Sequence, residues 1–275
     1  AIVDMNQRVP KAFEGNPSKM VADIVKDTKW GLGSPKTVFV EDTNNTFKYV
    51  SNYWTPLQNI QYISERATSA INSSPTFVFF ENKKGFNFIA VESLYLNTEL
   101  TQRFVVDDYT ADIQPSGGSY RNLEREYQRV LEISAPTLFD YVKRVKSGMY
   151  GSEVISYDIL THQYSHYSYQ PNFIDSKHLN EQPLWTGNAP ASPKSVLIDG
   201  RKYYNNFDGY SDVTNTAVVQ KRKSLMAQAE GSKVNITVFG RTDYTVGQKV
   251  LLEVPKPAQI KADDTDWKDK IMTGV

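Results

Sequence analysis

Hydrophobic positions along the first hundred residues change period twice, and each change marks an element. Met20, Val21, Ile24 and Val25 recur at helical spacing after Asn16-Pro17. Asn16 is placed to cap that helix. Pro17 takes the first helical position, where a missing N–H costs nothing. The spacing predicts a helix over 16–29, with Gly31 and Gly33 closing it. A second helix opens at Thr55-Pro56, with Leu57, Ile60, Ile63 and Ala67 on one apolar face, and Asn72-Ser73-Ser74-Pro75 stops it. The aromatic run Thr76–Phe80, the turn Glu81–Gly85 and the return Phe86–Val91 read as a β-hairpin packed beside the helices. Residues 1–100 therefore read as one small α+β domain.

Beyond that point the pattern becomes β-rich. Gln114–Ser119, with Pro115, Gly117 and Gly118, is a break. Residues 127–134 read as extended, 136–146 as helical, and 153–170 as a long alternating stretch. Residues 171–194 hold four prolines and little periodicity, so they read as a loop. A helix is predicted over 217–229, with Val218, Leu225, Met226 and Ala229 apolar and Gly231 just past its end. Two strands follow, 233–238 and 249–254, each answering the other across Gly240–Gly247. A strand pair alone is marginally stable and needs further strands. Residues 101–152 and 231–275 are therefore expected to form one discontinuous β-domain, with 153–230 inserted as a separate β-rich domain carrying the 217–229 helix. The first and last residues read as a chain cut from something longer at both ends.

Composition narrows the chemistry. The chain has 275 residues, 31 basic and 31 acidic, so the formal charge is zero and no basic excess marks a nucleic-acid scaffold or a polybasic anchor. No apolar run approaches the ~20 residues of a membrane-spanning helix, and no membrane insertion is expected. There is no Cys, so disulfides, thiolate nucleophiles and Cys-ligated metals are excluded, in keeping with assembly in a reducing cytoplasm. Of the three histidines, His162 and His166 would share one strand face with Tyr164 between them, ~13 Å apart and too far to share a metal. His178 stands apart. Asp107-Asp108 and Asp263-Asp264-Thr265-Asp266 lack the glycine and glutamate of a calcium loop and read as solvated turns. Gly31-Leu32-Gly33-Ser34 lacks the lysine of a phosphate loop. The tyrosines at 157, 164, 167, 169, 203, 204 and 210 could stack sugars, which keeps a carbohydrate-binding or adhesin module as the alternative reading. Sheet packing or a protein interface suits them better in a chain with no basic stripe. No catalytic, cofactor or metal site is expected.

Two stretches carry a family resemblance. Trp54-Thr55-Pro56-Leu57-Gln58-Asn59-Ile60, Ser64–Ala67, Phe77–Glu81 and Gly85-Phe86-Asn87-Phe88 resemble the small α+β domain of the T4-like phage baseplate central hub protein. Leu225–Ala229, Val234–Gly240, Asp243 and Val246–Val250 resemble the helix and strand pair of that hub's C-terminal tube-like domain. The resemblance lacks the hub's N-terminal tube-like domain. It implies a tube-like antiparallel β-barrel beside the α+β domain. It further implies a homotrimer whose paired tube-like domains make a pseudo-sixfold ring between tail tube and central spike. The partners would be other copies of the chain, the spike, and tail-tube and baseplate proteins. DNA would be passing cargo only, and the location would be the virion tail. On this reading Val234, Asn235, Ile236, Thr237, Val238, Val250 and Leu252 form the assembly sheet. Val234, Ile236 and Val238 are expected to face inward against Leu225 and Met226, with Asn235, Thr237 and Phe239 on the other face.

Overall fold

The computed structural model describes residues 2–96, 100–106, 127–134, 143, 146–158, 162–169, 212–230, 233–255 and 271–274. The architecture is α+β with open sheets. Contacts divide the chain into two units, Ala1–Leu96 with Phe139–Gly231, and Asn97–Leu138 with Ser232–Val275.

The first unit begins with α1 (Ile2–Asn6), β1 (Ala12–Gly15) and α2 (Pro17–Lys26). It continues with β2 (Val38–Val40), β3 (Phe47–Val50) and α3 (Pro56–Ser64), and the aromatic hairpin of β4 (Phe77–Asn82) and β5 (Gly85–Ala90) runs into α4 (Val91–Leu96). Helix α2 stands where the spacing places it, and Met20, Val21, Ile24 and Val25 are all buried. Asn16 precedes it in extended conformation, but its side chain makes no capping bond and turns to the Thr43 carbonyl instead. Thr55 does cap α3: its hydroxyl accepts from the Gln58 N–H while the Gln58 side chain accepts from the Thr55 N–H, a reciprocal capping box. Gly31 must be glycine for space. A Cβ there would meet the Ile24 carbonyl oxygen at 1.9 Å, because the chain leaving α2 doubles back so that Leu32 N–H bonds that same oxygen.

β5 lies centrally, antiparallel to β4 and parallel to β2. Phe77 and Phe88 stack with centroids 4.6 Å apart, inside a core shared with Ile24, Ile60 and Ile63. β8 (Ser152–Asp158) and β9 (Gln163–Tyr169) form the second hairpin of this unit. Helix α5 (Asp212–Ala229) starts five residues before the predicted 217. Here the units differ from the sequence-based division, which sets 153–230 apart: β8, β9 and α5 group with 1–96. Polar bonds that leave no hydrophobic periodicity tie α5 both to 1–96, where Lys221 donates to the Ser73 carbonyl and Arg222 to the carbonyls of Ser64, Pro75 and Phe77, and to the second hairpin. Gln220, almost fully buried, donates to the Ser152 and Tyr167 carbonyls, and Ser224 donates to the Met149 carbonyl.

In the second unit, β6 (Leu100–Val105) runs parallel to β11 (Lys249–Pro255), whose other edge takes β12 (Ile271–Gly274) antiparallel. β7 (Val130–Ser134) and β10 (Asn235–Val238) make a separate antiparallel ladder. The expected pairing of 233–238 with 249–254 is thus not what forms. The ten residues from 239 to 248 exceed a tight hairpin and carry their own bonds, including Arg241–Asp243 and the Thr245 N–H donating to the Gln248 side chain, so each strand is released to a distant partner. Among the described residues no sheet closes into a barrel, and the β6–β11 ladder is parallel.

Candidate functional site

The residues singled out for assembly fall on two ladders of the second unit. Asn235, Ile236, Thr237 and Val238 constitute β10, and Val250 and Leu252 lie in β11. Val234 precedes β10 and is 48% exposed. Along β10 the faces alternate, with Ile236 and Val238 half-buried and Asn235 and Thr237 exposed. The opposing strand leaves Leu131 and Ile133 exposed while burying Val130, and a bulge between Thr237 and Val238 shifts the register. Tyr127 packs edge-on to the partly exposed Phe239. This ladder offers apolar side chains and two strand edges in one small area. Beside it, Glu253 of β11 is nearly buried and is held by a two-pronged Arg103 pair at 2.9 and 2.6 Å.

A second surface was not anticipated from the sequence. In the first unit, α3 and the outer strand β4 form the walls of a cavity of about 700 Å³. Leu57, which the spacing assigns to the apolar face of α3, is not covered but stands 39% exposed on this cavity. Phe79 and Phe86 stack at 5.6 Å on the sheet side. At one end lies Arg222 of α5. Its Nη1 donates to the carbonyls of Ser64, Pro75 and Phe77, and its Nη2 also reaches Phe77. Burial lowers its pKa, partly opposed by the charge of Glu65. Glu65 itself lies 3.7 Å from Arg66, and Arg222 forms no ion pair among the described residues. At the other end Lys36 pairs with Glu81 and lies over the Phe86 ring.

Candidate chemistry elsewhere stays dispersed. His162 does not share the strand face expected of it: it sits before β9 with φ 54°, a turn conformation, while His166 is in β9 with Nδ1 3.2 Å from Glu153 Oε1. Among the described residues no three metal-ligating side chains converge. Tyr157 and Tyr164 are cross-strand partners, and Tyr164 projects from the hairpin at 69% exposure. His178, Tyr203, Tyr204, Tyr210, both aspartate clusters and the loop 171–194 lie outside the described residues. No described helix is long and apolar enough to cross a membrane. No protein-family model matches the chain, and no curated protein matches its sequence.

Proposed function

We propose that this chain is a structural hub subunit of a contractile phage baseplate, which joins the tail tube to the central spike by protein contacts in a homotrimeric, pseudo-sixfold ring. The observation that carries the reading is the β7–β10 ladder. Two short strands that pair only with each other among the described residues, with Leu131 and Ile133 exposed on one and Val234 exposed just before the other, are a poor end state for a monomer, because open edges and apolar faces invite pairing. Closing three copies into a ring satisfies every such edge at once, and the symmetry limits the assembly to a fixed size. The tube-like β-barrel belongs to this proposal as a structure completed between subunits. The neutral formal charge suits a channel wall along which DNA passes without binding. The work is mechanical, so no active site is assigned to it.

The test is the mass of the full-length protein in solution, by light scattering across a wide concentration range. A trimer that Leu131→Glu disperses into folded monomers, with a melting temperature that no longer rises with protein concentration, is the expected result. A monomer at all concentrations overturns the reading. If that monomer binds glycans through Tyr164, the adhesin alternative takes its place.

A further inference from the structure

We infer that the cavity between β4 and α3 is a docking groove for the carboxyl-terminal end of a partner polypeptide, which adds as an extra strand to β4 and sets its terminal carboxylate against Arg222. The inference is independent of the ring.

Register identifies the free groups. Asn82 and Gly85 close a two-residue loop, so Asn82, Phe80 and Val78 exchange backbone bonds with β5. The alternate residues Phe77, Phe79 and Glu81 turn their N–H and C=O groups away from β5. Arg222 corroborates the assignment by taking the Phe77 carbonyl on that outer side. Among the described residues, the backbone groups of Phe79 and Glu81 have no partner there. A sheet edge flanked by an apolar groove is the setting in which an extended peptide binds by strand addition. Main-chain bonds supply affinity, and alternate side chains supply selectivity.

Charge and closure select the occupant. Phe77 to Glu81 spans roughly 14 Å, room for about five extended residues. Arg222 bridges Ser64, the last residue of α3, to Phe77, the first of β4, and so shuts one end of the groove. A chain cannot pass through and must terminate there. The guanidinium has five N–H donors, and its carbonyl partners solvate the charge without neutralising it. A carboxylate does neutralise it, and an amino terminus would be repelled. The partner's C-terminus therefore lies beside Phe77, which makes the added strand antiparallel to β4. Its last and third-last side chains point the same way, toward Leu57, Ile60 and Phe79. Small or medium apolar residues at those two positions fit that lining.

The probe is a pool of fluorescein-labelled octapeptides with Val, Leu, Ile or Phe at the last and third-last positions. It is prepared with free carboxylates and, separately, amidated, and is titrated against the full-length protein. The free-acid pool should bind about tenfold tighter or more than the amidated pool, the range a charge-assisted bond supplies. Leu57→Glu should weaken it by a similar factor. Hydrogen exchange at Phe79 and Glu81 should slow on binding, with Val78 and Phe80 unaffected. Glu81→Pro removes one outward N–H without touching the β4–β5 ladder and should weaken binding several-fold; if that variant fails to fold, the exchange pattern decides. Equal affinity for acid and amide pools overturns the inference. So does absence of binding at millimolar peptide, or protection of Phe79 and Glu81 that grows with protein concentration alone, which would assign the edge to a second copy of this chain.

Discussion

Arg222 shows how much one side chain can hold. Its planar head fastens α5 to the end of α3, to Pro75 and to the start of β4. Arg222→Ala would leave the carbonyls of Ser64, Pro75 and Phe77 short of a donor, and should destabilise the first unit by about 2–4 kcal/mol in a chemical denaturation series. Arg222→Lys should recover only part of this, since a single ammonium cannot span the three acceptors. Two tyrosines make the same unit sensitive to alkali. Burial, followed by the charge of Glu92, pushes the Tyr169 hydroxyl up to about 12. Burial, followed by Tyr62, raises Tyr49 further, and its hydroxyl lies 3.1 Å from Asn59 Oδ1. An unfolded tyrosine ionises near about 10. The neutral form is favoured in the folded state, so this stability is complete below pH ~10 and is lost as pH rises through the folded values. In an absorbance titration, Tyr49 and Tyr169 should stay silent while exposed tyrosines ionise, then titrate together with loss of structure.

At the scale of elements, the parallel ladder of β6 and β11 rests on a cross-strand ion pair that alternation could not reveal. Glu253 follows the apolar run Val250-Leu251-Leu252, and nothing in that run tells a buried acid from an exposed one. Its partner Arg103 is about 150 residues away in sequence. Arg103→Met should leave a nearly buried carboxylate without its partner; because the Arg103 side chain is 52% exposed and water screens the pair, the cost should be about 1–2 kcal/mol, and replacing both members with apolar residues of similar size should cost less. Thermal melts of the single and double variants would measure the difference. The capped helix α3 and the aromatic hairpin β4–β5 were legible because their signals are local. Thr55-Pro56 and Gln58 sit within one turn, and the aromatic run and its return lie between Phe77 and Ala90, although the turn read over Glu81–Gly85 narrows to a two-residue loop. The edge-strand groove was not legible. Leu57 has the same hydrophobicity whether a neighbour covers it or not, and Arg222 carries no signal that it closes a site formed by residues between Leu32 and Phe86.

For the whole molecule, the assembly reading places opposite demands on adjacent residues of β10. Ile236 is half-buried, so Ile236→Asp should cost about 1–2 kcal/mol, less than a fully buried site would demand. Thr237 is exposed, so Thr237→Asp should change the stability of the separated subunit by no more than about 0.5 kcal/mol, a surface-substitution effect, and reduce the trimer fraction in sedimentation. A larger loss of stability for Thr237→Asp would reverse the faces. What the residue order settled about this protein is its α+β class, the helices α2 and α3, the aromatic hairpin and the want of any cysteine chemistry. Those follow from periods of two or 3.6 residues and from composition, both of which act over short stretches of chain. The pairing of β10 with β7 and of β11 with β6, the joining of α5 to the first hundred residues, the exposed edge of β4 and the closing role of Arg222 arose only on folding. Each depends on which distant group satisfies a backbone donor or acceptor, and every residue carries the same backbone groups, so the choice is made by packing in three dimensions.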